Sequence, residues 1–375
     1  MIRTIGLVST NYSVEGFAEL CENRCAAALP FGGRYRLMDF ALSNLVNAGI
    51  RTVGVITPYY YRSILDHMGA GKSWGLDRKS GGLFVLPGSI YGFREENSRF
   101  LLEDFQRNRQ YLEQGDADYV LCTDCGFLYN ADYRLLMERH EVSGADVTLL
   151  YKPLRDEQRR GVYLTLDEKE RVCAMERAES GERLFLNCFM VNRGFLLRLL
   201  DAHEQLAFES PVFRHRPPRD FTELLAELLT EAKVEAMAFE GSVLYANSIG
   251  DYFAASRSLL RRELRQELFT AERQIYTHIH DEPPTAFGKN AEVRNSVISS
   301  GSHMGGEVEN SVLFRGVTVE EGATVKNCVL MEKTVICAGA VLENVICDKE
   351  VSVSGGVVLR GTEEKPCLLR KGKSI

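Results

Sequence analysis

The sequence has 375 residues, of which 45% are hydrophobic and 26% charged, so it is long enough for two domains and has the composition of a globular protein. Its net charge is -7 and its pI is about 5.7, which gives no broad basic surface for nucleic acid or anionic lipid. No apolar run reaches the length of a membrane span or of a signal peptide. We therefore expect a cytoplasmic protein with no nucleic-acid or membrane partner.

The ten cysteines are scattered through apolar segments, which predicts reduced and mostly buried thiols. Two close pairs are exceptions, Cys21 with Cys25 and Cys122 with Cys125. Four thiolates are enough for a zinc ion, but these spacings are loose and lack the turns of a zinc ribbon. The sequence therefore predicts no metal site here.

The first 150 residues alternate short β-branched runs with helical stretches. The predicted strands cover residues 2–8, 52–57, 119–122 and 146–151, and the predicted helices cover 38–48, 62–68, 100–114 and 133–142. Strands separated by helices imply crossover connections and a doubly wound, mostly parallel α/β sheet. In such sheets, ligands bind at the carboxyl ends of the strands.

A charged amphipathic helix over residues 252–275 and the two prolines at 283 and 284 predict a connecting segment. Beyond it, a phrase of the form Val-x-Asn-Ser-Val-Leu begins at Val293 and recurs at Val308, Val325 and Leu342, at intervals of 15, 17 and 17 residues. Valines also recur every six residues, which indicates a parallel β-helix with three short strands in each coil. The predicted domains are residues 1–251, a connecting helix and linker at 252–285, and a β-helix at 286–375.

Several fixed-spacing motifs together carry a family resemblance. They are residues 30–40, 42–44, 47–50, 52–57 and 71–77. Joined to a C-terminal β-helix, these motifs resemble those of the glucose-1-phosphate adenylyltransferases, also called ADP-glucose pyrophosphorylases. The resemblance covers nearly the whole chain and implies a nucleotidyltransferase-like first domain with a left-handed, hexapeptide-repeat β-helix. Members of that family transfer AMP from ATP to glucose 1-phosphate, with magnesium, and release pyrophosphate.

The residues that the family uses for ATP and magnesium are replaced in this chain. By the resemblance, the glycines of the nucleotide loop fall on Asn11, Tyr12 and Val14, and its arginine falls on Gly16. Tyrosine and valine do not permit the close backbone approach that glycine permits, so the loop loses its cradle for phosphate.

The carboxylates that hold magnesium in the family are also missing. By the resemblance they fall on Gly126 and Tyr245, and the segment that lines the base and sugar falls on residues 97–102. Asp124 lies two residues before Gly126, so a shifted metal site stays an open alternative. We therefore expect no catalytic residue and no cofactor in this chain.

Four arginines are candidate contacts for an anion. Arg24, Arg34 and Arg36 lie where the resemblance implies effector-binding residues, and Arg177 replaces the lysine of a sugar-phosphate motif. A structural role is the alternative for Arg34 and Arg36, because an arginine three residues before Asp39 can pair with it on a helix.

The resemblance is strongest to the GlgD-type subunit of these enzymes, a non-catalytic partner of a catalytic GlgC-type chain. It implies a regulatory and structural role in glycogen biosynthesis, a heterotetramer, magnesium only in the partner, and a small phosphorylated effector as a candidate ligand. Two alternatives stay open, a competent nucleotidyltransferase with a rearranged metal site and a stand-alone sugar-phosphate-binding protein. An acyltransferase is less well supported, since the β-helix offers only His303 as a base.

Overall fold

The computed structural model describes residues 2–12, 16–17, 19–90, 98–155, 157–209 and 219–375. The chain forms two compact units, each assembled from separate segments. The sheet unit comprises Met1–Ser13, Phe40–Val243 and Ala271–Tyr276, and the β-helix unit comprises Val14–Asp39, Leu244–Thr270 and Thr277–Ile375. Within the described ranges, the longest helix is still too short or too polar to cross a lipid bilayer.

In the described part of the chain, thirteen strands precede the β-helix. In chain order they are β1 (Thr4–Ser9), β2 (Pro30–Phe31), β3 (Tyr35–Arg36), β4 (Thr52–Thr57), β5 (Gly82–Pro87), β6 (Tyr119–Thr123), β7 (Phe127–Leu128), β8 (Val147–Pro153), β9 (Gly161–Leu166), β10 (Val172–Ala178), β11 (Arg183–Asn192), β12 (Val234–Ala238) and β13 (Leu244–Tyr245). The buried strands β1, β4 and β6 are rich in valine, isoleucine and threonine, which pack well on a pleated surface.

The α-helices alternate with these strands. They are α1 (Leu37–Asn47), α2 (Arg62–Met68), α3 (Leu102–Arg107), α4 (Arg109–Glu113), α5 (Tyr133–Ser143), α6 (Arg193–Glu209), α7 (Phe221–Glu227), α8 (Ile249–Ser258) and α9 (Arg262–Leu268). Helix α5 illustrates the local signals. The Asp132 carboxylate accepts a hydrogen bond from the Arg134 amide at its start, and Gly144 ends it in the left-handed conformation.

The sheet unit is built on one large sheet with the strand order β10-β9-β11-β6-β1-β4-β5, and β11 also pairs with β8, which pairs with β12. Strands β6, β1, β4 and β5 are parallel to one another, whereas β11 runs antiparallel to its neighbours. Helices connect the parallel strands, so the predicted doubly wound fold is confirmed. Strands β5 and β9 to β12, which also belong to this sheet, were not predicted from the sequence.

The β-helix consists of fifteen short strands arranged in three five-stranded parallel sheets. The strands are β14 (Ala286–Phe287), β15 (Glu292–Arg294), β16 (Val297–Ile298), β17 (His303–Met304), β18 (Glu307–Glu309), β19 (Val312–Leu313), β20 (Thr318–Val319), β21 (Thr324–Lys326), β22 (Val329–Leu330), β23 (Val335–Ile336), β24 (Val341–Glu343), β25 (Val345–Cys347), β26 (Ser352–Val353), β27 (Val358–Arg360) and β28 (Cys367–Leu369).

The sequence repeat sets the register of these coils. Val293 pairs with Val308, Val308 with Val325, and Val325 with Leu342. Val308, Val325 and Leu342 are fully buried in a core of aliphatic residues, which stack coil upon coil. The predicted left-handed β-helix is confirmed.

The single helix predicted over residues 252–275 is wrong, because the structure has α8 and α9 instead. Leu259 is buried and follows the end of α8, and Arg261 adopts an extended conformation before α9 begins. The Arg265 guanidinium donates a hydrogen bond to the Leu259 carbonyl at 2.5 Å, so this carbonyl does not need a helical partner. The amphipathic pattern continues through the break, which is why the sequence concealed it.

The helix predicted over residues 100–114 is likewise divided, into α3 and α4. Asn108 joins them with a non-helical backbone. Its side-chain amide donates to the carbonyls of Asp104 and Pro87 at 2.7 and 2.9 Å, and these bonds compete with continued helix.

Candidate functional site

The carboxyl ends of the central parallel strands lie together in the sheet unit. Val8 near the end of β1 is aligned with Val55 of β4 and with Thr123 of β6. Residues that follow β1 and β6 therefore lie at one edge of the sheet, where α/β proteins bind ligands. Asn11 and Tyr12 follow β1, and Asp124 follows β6.

Asn11 ties the segment after β1 to helix α3. Its side-chain amide donates hydrogen bonds to the Asp104 carboxylate at 2.8 Å and to the Ser89 carbonyl at 3.0 Å. The Ser89 amide donates to the other Asp104 oxygen at 2.6 Å. Burial raises the pKa of Asp104, and these hydrogen bonds oppose that shift. Asn11, which by resemblance replaces a loop glycine, therefore holds neighbouring segments of the protein together through hydrogen bonds.

The same contact constrains residue 88. A Cβ atom at Gly88 would lie 2.5 Å from the Asn11 side-chain nitrogen and 2.6 Å from the Thr57 carbonyl oxygen. Neither neighbour can move without breaking a hydrogen bond or shifting a strand, so only glycine fits there.

Asp124 is a buried carboxylate with donors around it. One oxygen accepts a hydrogen bond from the Gly126 amide at 3.1 Å, and the other accepts from the Asn187 side chain at 2.9 Å. The Arg99 Nε atom lies 3.6 Å from that second oxygen. Burial raises the pKa of Asp124, and the positive charge of Arg99 is the strongest influence against this shift.

Arg99 is anchored on both its side chain and its backbone. Its guanidinium carbon lies 4.1 Å from the centre of the Tyr12 ring, within range of a cation–π interaction. The backbone amides of Arg99 and Phe100 each donate to one Asp220 oxygen at 2.7 Å. The Arg99 side chain is 14% exposed, so solvent screens its charge only weakly.

The positions assigned by resemblance to ATP and magnesium have other roles. Gly126 contributes its backbone amide to Asp124, and Tyr12 contributes its ring to Arg99. In the β-helix unit, Gly16 bridges to Ser248, whose Cα would lie 2.8 Å from an added Cβ, and Tyr245 lies in β13. Val14 and Asn97 lie outside the described residues.

Arg177 lies on β10, in the same unit as Arg99. Its pKa is lowered, mainly by partial desolvation, while the negative charge of Asp220 opposes the shift and the positive charge of Arg99 adds to it. The structure thus places the candidate sugar-phosphate contact within electrostatic reach of the Arg99 environment.

Of the three candidate anion contacts near the N-terminus, Arg24 is the most buried. In the β-helix unit its guanidinium pairs with the Asp348 carboxylate at 2.8 Å, with side-chain exposures of 10% and 5%. Arg34 is exposed and donates to the Tyr35 hydroxyl at 2.9 Å. The Arg36 backbone amide donates to the Asp39 carboxylate at 2.9 Å, which is a capping contact at the start of α1.

Further cations lie near Arg24 and Arg36. Burial lowers the pKa of Arg36, with Glu332 opposing and Arg24 adding to the shift. Glu332 itself lies 3.8 Å from Arg315 and 3.2 Å from Lys349. We call Arg24, Arg36, Arg315 and Lys349 the basic cluster.

Arg315 and Lys349 were not among the predicted site residues, although the sequence carries a signal for them. Arg315, Glu332 and Lys349 are spaced by 17 and 17 residues, which is one coil in this part of the β-helix. Residues one coil apart stack on each other, so alternating charges at this spacing predict an ion-paired column.

All ten cysteines are free thiols. Burial raises the pKa of Cys25 to about 11 and that of Cys21 to about 12, so these groups are poor metal ligands and poor nucleophiles. Across the described ranges, no three side chains of histidine, cysteine, aspartate or glutamate come together as ligands for a metal ion.

Comparisons with known proteins agree with this architecture. A family model described as nucleotidyl transferase matches residues 17–176, and one described as GlmU-like, C-terminal hexapeptide matches residues 283–365. The glycogen biosynthesis protein GlgD of Bacillus subtilis is 32% identical over 98% of this chain and 96% of its own length. The protein of the same name from Geobacillus stearothermophilus is 36% identical over 99% and 96%. A glucose-1-phosphate adenylyltransferase of Thermotoga neapolitana is 33% identical over 81% and 71%.

Proposed function

Because the chain belongs to the GlgD family, we propose that it is a non-catalytic, regulatory subunit of a glucose-1-phosphate adenylyltransferase in glycogen biosynthesis. In this proposal a GlgC-type chain carries out the transfer of AMP from ATP to glucose 1-phosphate. The present chain acts in the cytoplasm and alters the kinetics of that partner without donating catalytic groups.

The environment of Asp124 is the observation that supports a non-catalytic role. In-line transfer at a phosphorus needs a cradle of amides, cations and metal-binding carboxylates around the triphosphate. Here Asp124 accepts hydrogen bonds from Gly126 and Asn187 and pairs with Arg99, while Tyr12 stands where a loop glycine is expected. Losing several transition-state contacts that act together costs many orders of magnitude in rate.

Assembly follows from the same proposal. A chain without catalytic groups affects the reaction only through a partner that has them, so we assign it to a heterotetramer with the GlgC-type chain. Magnesium then belongs to the catalytic partner, and this chain binds no cofactor of its own.

The basic cluster is the site that we assign to a small phosphorylated effector. Arg24 and Arg36 lie within electrostatic reach of each other and of Lys349. Burial lowers the pKa of Lys349, Arg36 and Arg315. A phosphate bound to these partly desolvated cations would compete with their carboxylate partners Glu332 and Asp348, and water would screen that attraction poorly. Arg34 and Arg177 stay candidates for peripheral contacts with an effector and with a sugar phosphate.

One assay tests the proposed role directly. Pyrophosphate release from ATP and glucose 1-phosphate is measured with this chain alone, with the GlgC-type chain alone and with both mixed. We expect no turnover above the blank from this chain alone, and an altered affinity for substrate or effector in the mixture. Coupling between subunits of this kind is about 5- to 150-fold in affinity.

Two outcomes would contradict the proposal. Turnover by this chain alone that is abolished by Asp124→Asn would identify a rearranged metal site and a competent enzyme. A monomer on size-exclusion chromatography, both alone and with the GlgC-type chain, would favour a stand-alone sugar-phosphate-binding protein.

A further inference from the structure

The residues around Asp124 do not fit a magnesium ion. Magnesium takes oxygen ligands at about 2.0–2.1 Å in near-octahedral geometry, supplied by carboxylates, substrate and water. Both oxygens of Asp124 instead face nitrogen donors, namely the Gly126 amide, the Asn187 side chain and the Arg99 guanidinium. A cation would have to displace these donors, and among the described residues Asp124 belongs to no group of three metal-ligating side chains.

A buried carboxylate nevertheless needs a positive partner. The Asp124 side chain is 1% exposed, and isolating its charge there would be strongly unfavourable. Among the described residues, the two charged groups that act most strongly on Asp124 are Arg99 and Asp220, and Asp220 is of like charge. Within this part of the chain, Arg99 is therefore the cation that balances the charge of Asp124.

The position of Arg99 depends on Tyr12 and Asp220. Tyr12, which by resemblance takes the place of a loop glycine, lies against the guanidinium at 4.1 Å. Asp220 holds the backbone at residues 99 and 100 through two hydrogen bonds of 2.7 Å. The Arg99 guanidinium is thus fixed between the Tyr12 ring and the Asp124 carboxylate, an arrangement that suits arginine better than lysine.

We propose that Arg99 is a built-in counter-ion that replaces the divalent cation at this site, and that Asp124 is not a metal ligand in this protein. This inference rests on the proposed function for the expectation of magnesium at this edge of the sheet. The counter-ion explains why this edge of the sheet needs no magnesium. At the corner where the family binds nucleotide, Tyr12 packs against Arg99, and Arg99 forms an internal ion pair with Asp124.

The test combines variants with divalent cations in the full-length protein. Thermal unfolding is measured for the wild type, Arg99→Met, Asp124→Asn and the double variant, with and without magnesium chloride. Each single variant leaves one buried charge unpaired, so we expect its Tm to fall by at least about 5 °C. The loss of Tm in the double variant should be smaller than the sum of the two single losses. Any effect of magnesium on the Tm should be the same for the wild type and for Asp124→Asn.

A matched control comes from an exposed ion pair of the same unit. Arg3 and Asp118 lie 3.0 Å apart with side chains 58% and 48% exposed, and Arg3→Met should lower the Tm by no more than about 2 °C. Additive losses in Arg99→Met and Asp124→Asn would overturn the proposal. So would a magnesium-dependent rise in Tm that is lost in Asp124→Asn.

A second measurement does not depend on the folding of Arg99→Met. Free Mn²⁺ is titrated by electron paramagnetic resonance with the wild type and with Asp124→Asn. Equal binding by the two proteins supports the inference, and binding that is lost in Asp124→Asn overturns it. If Asp124 binds Mn²⁺ while the isolated chain still lacks turnover, the counter-ion inference fails and the proposed function stands.

Discussion

Two buried aspartates of this chain are stabilised in the same manner. Asp124 pairs with Arg99 in the sheet unit, and Asp348 pairs with Arg24 in the β-helix unit. The arginine lies 25 positions from its aspartate in the first pair and 324 in the second, and it is largely buried in both. Removing one member of such a pair costs about 3–5 kcal/mol, because the remaining charge has no water to solvate it.

His140 provides a titratable contact of a different kind. Its ring is buried, with Nδ1 2.7 Å from the Thr148 hydroxyl and Nε2 3.2 Å from the Asn192 side-chain oxygen. The Asn192 amide nitrogen donates to the Ala145 carbonyl, so its oxygen faces the histidine. Nε2 therefore carries the proton and Nδ1 accepts from Thr148, which fixes the neutral form of the ring.

This geometry predicts a loss of stability in mild acid. Burial lowers the pKa of His140, so the unfolded chain binds a proton that the folded chain resists. The stabilising contribution is complete above the unfolded value of about 6.5 and declines as the pH falls through the folded pKa. We expect the free energy of unfolding, from urea titrations at pH 7.5 and 5.5, to decrease more in the wild type than in His140→Gln.

The exposed His303 supplies the control, since His303→Gln should show the same decrease in the free energy of unfolding as the wild type. An equal decrease in all three proteins would contradict the role assigned to His140.

At the candidate site, the sequence predicted which family residues are replaced better than it predicted which side chains contact each other. The replaced positions Asn11, Tyr12 and Gly126 could be read by counting along motifs, and Asp124 could be recognised as a nearby carboxylate. The pairing of Asp124 with Arg99 could not, because it joins residues on separate elements with no shared period. The contact of Asn187 with Asp124 could not be predicted either. It depends on a left-handed backbone, with φ of 50°, at an irregular part of β11.

Among the structural elements, the corners of the β-helix explain the repeated asparagine. Asn295, Asn310, Asn327 and Asn344 occupy the third position of the recurring phrase, and all have positive φ, between 41° and 53°. Asparagine tolerates this left-handed conformation better than other residues with side chains, and it can also bond along the stack. The Asn295 side-chain nitrogen donates to the Asn310 oxygen at 2.7 Å.

Substitutions at Asn310 should separate backbone strain from side-chain bonding. Asn310→Ala and Asn310→Gly both lose the bond to Asn295, but only alanine is strained at a φ of 47°. We expect the alanine variant to be less stable than the glycine variant by about 1 kcal/mol, measured by urea denaturation. Asn290→Ala, at an exposed asparagine without positive φ, should change stability by less than about 0.5 kcal/mol. Equal stability of the two Asn310 variants would rule out strain as the reason for asparagine.

The fold was predictable wherever a period was long and undisturbed. The spacing of 15, 17 and 17 residues gave the register of the β-helix, and the alternation of strands and helices gave the sheet. The helix breaks at Asn108 and Leu259 were hidden because they depend on side-chain hydrogen bonds from Asn108 and Arg265. Strand β10 was missed because its mixed polar and apolar sequence has no clear alternation, whereas β11 is a mainly apolar run that was not recognised as a strand.

At the scale of the whole molecule, regulation requires that an effector bind the states of the assembly unequally. An effector at the basic cluster shifts the enzyme by no more than its difference in affinity for those states, typically about 1–3 kcal/mol. Arg24 is the member with a buried partner, so its charge is held in one place.

We expect Arg24→Ala to weaken the response of the mixed enzyme to small phosphorylated effectors. The response is measured as pyrophosphate release over a series of concentrations of inorganic phosphate and of sugar phosphates. The matched control is Arg370→Ala, because Arg370 is a half-exposed arginine of the same unit that pairs with Glu22 at 2.9 Å. An unchanged effector response in Arg24→Ala, with assembly intact by size-exclusion chromatography, would remove Arg24 from the effector site.

The contact between Arg24 and Asp348 has a consequence for biosynthesis. The two residues are 324 positions apart, yet they belong to one compact unit. At a ribosomal rate of about 5–20 residues per second, Asp348 is made roughly 16 to 65 seconds after Arg24. Until the coil that carries Asp348 has been made, Arg24 lacks its buried partner. The β-helix unit thus starts at Val14, before most of the sheet unit, and is completed last.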